Sequence, residues 1–133
     1  MEEVRILVTG SRHWTDYGSI KGAICNQILL LADGEDDNVT VIHGDCRGAD
    51  KLAGSVAKHY GYCLDLYSVD HDIDGPWPGA GPRKNRRMFE ASGPDIVLAF
   101  PLSPIGKGGT WDMVGVANKG GVEVVIIPAP NKE

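Results

Sequence analysis

The sequence predicts an α/β fold: one Rossmann-like three-layer α/β/α domain over residues 1–133, with about five parallel strands in the order 3-2-1-4-5. Short apolar runs alternate with helical patterns along the chain, which is typical of parallel strands joined by right-handed helical crossovers. The runs are nearly continuous in apolar residues, as expected for strands covered on both faces. A chain of 133 residues with 42% hydrophobic content is long enough to bury the core of one such domain.

Two strand–helix units are predicted in the first half of the chain. β-branched residues indicate the strands, and apolar residues at helical spacing indicate the helices. The strands are Val4–Thr9 and Val39–His43, and the helical patterns are Ile20–Ala32 and Leu52–Tyr60. Asp16 or Ser19 is the expected N-cap of the first helix, and Gly61 ends the second. The acidic stretch Asp33–Asn38 is expected to be a solvated turn.

The second half predicts three more strands and two helices by the same criteria. The strands are Tyr62–Tyr67, Ile96–Phe100 and Val122–Ile127, and the helices are Arg83–Ala91 and Thr110–Lys119. Between them, Ser68–Pro82 is rich in Asp, Gly and Pro and predicts a long irregular loop of the kind that is often functional. Pro82 suits the first turn of the basic helix, and Pro128–Glu133 is expected to be a short tail.

Composition excludes several classes of protein. A formal net charge of −5 argues against a protein that coats nucleic acid non-specifically. Cys25, Cys46 and Cys63 form no C-x-x-C pair, so neither a disulfide framework nor a zinc site is indicated, and free thiols fit a reducing cytosol. The acidic start is unlike a signal peptide, and no apolar run is long enough for a membrane span. We expect a cytoplasmic protein with no membrane partner.

Three glycine loops follow predicted strands, and they are the strongest functional feature of the sequence. They lie in Val8–Arg12, in His43–Ala53 and in Gly106–Thr110. A strand, a glycine loop and a helix start present free amides and a positive dipole end to an anion. In a sheet of order 3-2-1-4-5 the strand order reverses between strands one and four, so the loops should converge there. The sequence therefore predicts one pocket for a phosphate-bearing ligand.

The candidate ligand-binding residues lie mainly in these loops. They are Gly10, Ser11 and Arg12 in the first, Gly44, Asp45, Arg47, Gly48 and Asp50 in the second, and Gly108, Gly109, Thr110 and Trp111 in the third. For each loop the alternative is a plain strand-end turn, and Asp50 could simply complement the dipole of its helix. Trp14, Trp77 and Trp111 are candidates for base stacking or for ordinary packing.

The basic run Arg83–Arg87 supplies further candidates. It spans about one helical turn, so one or two of its cations should face inward toward the anion. The ligand-binding candidates here are Lys84, Asn85 and Arg86. The nearby H-D-I-D sequence is too weak a pattern for a metal site, so we predict none, and His43 is expected to be a structural hydrogen-bonding residue.

Four motifs in order resemble the YspA-like branch of the SLOG superfamily, over nearly the whole chain. They are V-T-G-S-R (8–12), H-G-D-C-R-G-A-D-K-L-A (43–53), G-P-R-K-N-R-R-M (81–88) and G-G-T-W-D-M-V (108–114). That superfamily also includes the Lonely Guy phosphoribohydrolases and the DNA-processing protein A family. The resemblance implies a Rossmann-like fold, a pocket for a nucleotide or nucleotide-derived ligand with no required cofactor, and a homodimer or higher homo-oligomer.

The chain departs from the Lonely Guy pattern at both catalytic positions. Counting from Gly109-Thr110, the glutamate of G-G-x-G-T-x-x-E is replaced by Met113, and the nearest carboxylate is Asp112. Counting back from the methionine of R-K-x-x-M, Lys84 holds the arginine position, and Arg83 lies one residue away. If the chain is an enzyme, the resemblance makes Asp112 and Arg83 the catalytic candidates, with Asp45 or Asp50 as less favoured alternatives to Asp112.

Three functions therefore stay open at this point. The first is a protein that binds a nucleotide or nucleotide derivative as a sensor or sequestering module. The second is a nucleoside 5′-monophosphate N-glycosidase. The third, disfavoured by the net charge, is single-stranded DNA binding through the Arg83–Arg87 face.

Overall fold

Five parallel strands make up the sheet of the computed structural model, which describes residues 3–32 and 38–130. They are β1 (Val4–Gly10), β2 (Val39–His43), β3 (Cys63–Leu66), β4 (Ile96–Phe100) and β5 (Glu123–Ile126). The strands pair in the order β3-β2-β1-β4-β5, with Leu7 opposite Ile42 on one side and Val97 on the other. The predicted fold class is confirmed. Most of the predicted acidic turn (33–37) and the end of the tail (131–133) lie outside the described residues.

Five helices connect or flank these strands. They are α1 (Tyr17–Ala32), α2 (Ala49–Tyr60), α3 (His71–Asp74), α4 (Ala80–Ser92) and α5 (Gly109–Lys119). Of the two predicted caps for α1, Asp16 is the one used, because its carboxylate accepts a hydrogen bond from the Ser19 amide at 3.4 Å. Within residues 3–32 and 38–130, no helix is long and apolar enough to cross a membrane.

The segment Ser68–Pro82, predicted as an irregular loop, contains more helix than expected. Asp70 caps α3 by accepting from the Asp72 amide at 3.0 Å, and α4 begins at Ala80 rather than at Arg83. Pro82 is still inside the first turn of α4, where its missing N–H costs no helical hydrogen bond. The prediction failed here because a helix of one turn leaves no hydrophobic period in the sequence.

The two faces of the sheet bury separate hydrophobic cores. Alternate side chains of β1 and β4, such as Ile6, Val8 and Leu98, pack with α1 and α2 on one face. Leu7 and its neighbours on the other face pack with Met113 and the rest of the α4–α5 layer. Helices on both faces give the three layers, and they bring the N-termini of α2 and α5 to the carboxyl edge of the sheet.

Gly10 lies where three elements meet, and we predict that Gly10→Ala destabilises the fold. A Cβ atom at Gly10 would lie 2.5 Å from the Cβ of Ala49 in α2 and 2.9 Å from the backbone oxygen of Phe100 in β4. Neither neighbour is a flexible side chain, so the strand end must shift. We expect the free energy of unfolding to fall by about 1–3 kcal/mol in urea titrations.

Gly22→Ala is the matched control for this prediction. Gly22 lies in the interior of α1, with nothing within 4 Å of an added Cβ. Alanine there should raise the free energy of unfolding by about 0.5–1 kcal/mol, because it reduces the entropy of the unfolded chain. A Gly10→Ala protein as stable as the wild type would contradict the packing at the β1 end.

Candidate functional site

A cavity of about 650 Å³ lies at the carboxyl edge of the sheet, beside the ends of β1 and β4 where the strand order reverses. Its walls come from the loop after β1, the loop before α5, the start of α2 and one face of α4. Ten predicted site residues line it: Gly10, Ser11, Arg12, Asp50, Lys84, Asn85, Gly108, Gly109, Thr110 and Asp112. The structure therefore brings residues of all three loops and of the basic helix to one cavity.

The start of α5 forms one wall and offers unused backbone donors. Gly108 precedes the helix at φ 94°, a conformation that favours glycine, and no side chain in residues 3–32 or 38–130 caps this end. The first N–H groups of a helix have no partner within it, so those of α5 are available at the cavity. Such a helix start stabilises an anion through its amides and its dipole.

Lys84 extends from α4 beneath the loop that follows β2. It is only 6% exposed, and its Nζ lies so close to Gly44 that a Cβ there would be 2.2 Å away. In the part of the chain that the structure describes, the Lys84 ammonium makes no hydrogen bond or ion pair. Its charge acts on the nearby Asp50 carboxylate only through space, and the open cavity beside it leaves room for an anion to bind Nζ directly.

The loop after β2 differs from the prediction, because the amides of Gly44 and Cys46 are bound by a side chain of the protein itself. Oδ2 of Asp50 accepts hydrogen bonds from the amides of Gly44 at 2.9 Å and Cys46 at 3.3 Å. Burial raises the pKa of Asp50 to about 6, although the charge of Lys84 opposes this rise. The loop therefore presents a buried carboxylate to the cavity, and two of its amides are used to hold that carboxylate.

Four predicted residues of this loop do not line the cavity: Gly44, Asp45, Arg47 and Gly48. Asp45, at φ 62°, binds Lys51 Nζ at 2.5 Å and Ser68 Oγ at 2.9 Å, and these hydrogen bonds lower its pKa. Gly48, at φ 76°, packs on the backbone of the β1 loop, where a Cβ would lie 2.3 Å from the Ser11 oxygen. Arg47 is exposed. These residues shape and anchor the loop.

Three other predicted residues are also turned away from the cavity. Arg83 Nε donates to the Asp74 carbonyl oxygen at 2.5 Å, and its Nη2 donates to the Pro76 oxygen at 3.3 Å. Arg86 and Trp111 line a separate groove of about 550 Å³ between α4 and α5. Arg83, predicted as a catalytic candidate, does not line the cavity, because its guanidinium is engaged by backbone oxygens outside it.

Asn85 and Asp112 connect α4 to α5 in the cavity wall. Nδ2 of Asn85 donates to Oδ2 of Asp112 at 2.9 Å and to the carbonyl oxygen of Gly109 at 3.2 Å. Asn85 is 6% exposed, so its orientation is fixed by packing as well as by these bonds. The pair therefore holds a carboxylate beside the open amides of α5.

Half of the residues that line the cavity were not predicted from the sequence. The additional residues are Thr9, His13, Cys46, Val69, Trp77, Pro78, Gly81, Pro82, Met88 and Ser103. Met88 could have been found, because it lies four positions after Lys84 and so on the same face of the helix. Trp77, offered only as one of three stacking or packing candidates, stands at the cavity with 64% exposure. Trp14, another of the three, is buried edge-on against Phe100 at 5.2 Å instead.

With this geometry established, one relative decides the family. The gene 61 protein of Mycobacterium phage D29 is 35% identical over 126 residues, which cover 91% of this chain and 94% of that protein. The chain belongs to the gene 61 protein family. No protein-family model matches it.

The fold of this gene 61 family member is also found in a solved structure. DNA processing protein A (DprA) from Streptococcus pneumoniae superposes with a TM-score of 0.69 at 17% identity, over 96% of this chain. The chain spans about half of that protein, 51%. At this identity the likeness establishes the fold, and it is the Rossmann-like fold that the resemblance to the SLOG superfamily implied.

His43 is the last residue of β2 and lies beside the candidate site of this gene 61 family member. His43 is buried, and its Nδ1 accepts the Asp45 amide hydrogen at 3.0 Å, so the neutral ring is favoured. Burial lowers the pKa of His43 to about 4, which fits the predicted structural role. Among residues 3–32 and 38–130, no group of three or more His, Cys, Asp or Glu side chains is placed to hold a metal ion.

The buried Asp50 generates a pH-dependent prediction. Its pKa of about 6 in the folded protein lies above its ordinary value of 3.8, so its ionisation destabilises the fold. This free-energy cost is absent below about pH 3.8 and complete above about pH 6. Raising the pH from about 4.5 to about 7.5 should therefore lower the stability of the wild type by roughly 2 kcal/mol relative to Asp50→Asn. Urea unfolding of both proteins at the two pH values measures it.

His43→Gln provides the opposite-sign comparison in the same titrations. The pKa of His43 in the folded protein, about 4, lies below its ordinary 6.5, so the unfolded chain binds more protons in between. Over the same pH rise the wild type should therefore gain roughly 2–3 kcal/mol relative to His43→Gln. If the rise in pH changed the stability of the wild type in the same direction relative to Asp50→Asn and to His43→Gln, the opposite pKa shifts assigned to Asp50 and His43 would be wrong.

Proposed function

We propose that this protein binds a nucleotide or nucleotide-derived ligand in the cavity, with a phosphate group between the start of α5 and Lys84. The observation that carries the proposal is Lys84, which is 6% exposed and whose Nζ makes no hydrogen bond or ion pair within the described residues, while the uncapped end of α5 lines the same cavity. Arg12 adds a second cation to the lining. An anionic ligand would pair the ammonium and fill the free amides together.

The remaining lining supports a nucleotide over a bare anion. Val69, Pro78 and Met88 make an apolar wall, and the exposed ring of Trp77 stands beside them. Stacking of a base on such a ring is worth about 1–3 kcal/mol. The cavity volume of about 650 Å³ lies in the range of small-molecule and cofactor sites.

A sensor or sequestering module is the form of the function that we propose. Membership of the YspA-like branch, assembly into a homodimer or higher homo-oligomer, and a cytoplasmic location are parts of this proposal. They rest on the four sequence motifs and on the free thiols, since the name of the gene 61 protein states no activity.

An N-glycosidase is a second candidate, favoured by the position of Asp112 in the cavity. A carboxylate next to a bound ribose could stabilise the oxocarbenium-like centre and orient water as the base departs. Met113, at the Lonely Guy glutamate position, is fully buried and supplies no such group. This activity would therefore depend on Asp112 without the predicted help of Arg83.

Single-stranded DNA binding is less well supported. Arg83 and Arg87 are engaged within the protein, and Lys84 points into the cavity, so the basic run does not form one cationic face. Binding of this kind would show a steep salt dependence.

We predict that Lys84→Met weakens binding of nucleoside 5′-monophosphates. Losing a charge-assisted bond to phosphate should lower the affinity for AMP, GMP, CMP or UMP by about tenfold to a hundredfold in isothermal titration calorimetry. Lys84→Met also leaves Asp50 without its neighbouring cation. The double variant Lys84→Met/Asp50→Asn removes both charges, and its affinity for the nucleotides should be as low as that of Lys84→Met alone.

Lys58→Met is the control, because Lys58 is exposed on α2, away from the cavity lining. Its affinities should match the wild type. Release of free base, measured on the same samples, separates an enzyme from a binding module. Wild-type protein that binds none of the four nucleotides overturns the proposal, and a folded Lys84→Met protein that binds them as well as the wild type overturns the position of the phosphate beside Lys84.

A further inference from the structure

The Asn85–Asp112 pair leaves two oxygen atoms free in the cavity wall. Only the amide nitrogen of Asn85 can donate to both a carbonyl and a carboxylate oxygen, so its orientation is unambiguous. Oδ1 of Asn85 and Oδ1 of Asp112 therefore remain as acceptors. Across residues 3–32 and 38–130, neither atom accepts a hydrogen bond.

These acceptors call for a ligand group with hydroxyl donors. Asn85 is only 6% exposed and lines the cavity. Once a ligand fills the cavity, water can no longer donate a hydrogen bond freely to the Asn85 oxygen. A second phosphate would instead be repelled by the Asp112 carboxylate. Two uncharged hydroxyl groups on neighbouring carbons can each donate a hydrogen bond to one of the two oxygens.

The spacing from the open amides indicates which hydroxyls these are. The Asp112 amide donates to the Gly108 oxygen, so this residue lies one helical turn from the start of α5. Side chains of a helix tilt toward its N-terminus, so the Asp112 carboxylate lies near the open amides, where the sugar attached to a phosphate bound there would also lie. A phosphate at the helix start thus brings the ribose edge to the pair.

We propose that the Asn85–Asp112 pair binds the 2′- and 3′-hydroxyls of a 5′-phosphorylated ribose, so that the cavity selects ribonucleotides over 2′-deoxyribonucleotides. This inference rests on the proposed function and deepens it by naming the sugar. A ligand without the 2′-hydroxyl leaves a buried acceptor unpaired, which is how sites built for a hydroxyl reject analogues that lack it. The 3′-hydroxyl must also be free, which excludes the interior of a DNA strand.

Calorimetry of the wild-type protein with matched ligands tests the selection. The probes are AMP, GMP, CMP and UMP, the 2′-deoxy counterpart of each, and ribose 5-phosphate. We expect each ribonucleotide to bind about tenfold to a hundredfold more tightly than its 2′-deoxy counterpart. Ribose 5-phosphate separates a sugar phosphate from a nucleotide as the ligand, because only a nucleotide gains from stacking on Trp77. Free base is monitored in parallel, so that turnover is not taken for binding.

Asp112→Asn isolates the role of the pair. An asparagine there can still accept from Asn85, so the α4–α5 contact is kept while the charged acceptor is lost. The ratio of the affinity for a ribonucleotide to the affinity for its 2′-deoxy counterpart should fall toward one. Asp72 is an exposed residue of α3, and Asp72→Asn should leave this ratio unchanged.

The two proposals fail in different ways. Equal affinity for ribonucleotides and deoxyribonucleotides, or a preference that survives in Asp112→Asn, overturns the role of the pair and leaves the phosphate site standing. Absence of binding by any probe overturns both proposals. Tight, ribose-selective binding that Lys84→Met does not weaken overturns the phosphate position alone.

Discussion

The cavity depends on one buried ammonium and on the backbone that makes room for it. Lys84 reaches under the loop after β2, and Gly44 must lack a side chain there because a Cβ would collide with Nζ. Asp50 is also buried at this point, and each of the two charges lowers the cost of burying the other. Since Asp50 also binds two loop amides, its charge is partly satisfied, whereas Lys84 has no such partner within the described ranges. The local imbalance favours an anion from outside.

Two helix starts lie at this edge of the sheet, and the protein uses them differently. At α2 no side chain of the described residues caps the helix either, but the Ala49 amide donates to the Ser11 oxygen at 3.1 Å, and Asp50 turns back to bind the loop amides of Gly44 and Cys46. At α5, Gly108 has no side chain to offer and nothing else in the described chain caps the helix. The carboxylate of Asp50 at the α2 end makes the start of α5 the more favourable place for an anion.

The sequence was sufficient for the fold and for the place of the site, but not for the direction of individual side chains. Apolar runs and helical periods predicted all five strands and their order, and the order alone brought the β1 and β4 loops together. The basic run has no apolar period, so nothing in it indicated that Lys84 turns inward while Arg83 does not. The bond from Asp50 back to Gly44 spans six residues and depends on the loop conformation, which glycine content leaves undetermined.

The arginines that leave the cavity explain how an acidic protein can carry a strongly basic helix. Arg87 binds both carboxylate oxygens of Asp74, at 2.9 and 2.8 Å, and these bonds lower the pKa of Asp74 to about 2. Arg83 binds the carbonyl oxygens of the same segment. The two arginines therefore fasten α3 and the following turn to α4, and this turn carries Trp77 to the cavity. Because two cations of the run position that wall, Lys84 is the cation of the run that lines the cavity, and the run does not form one continuous cationic surface.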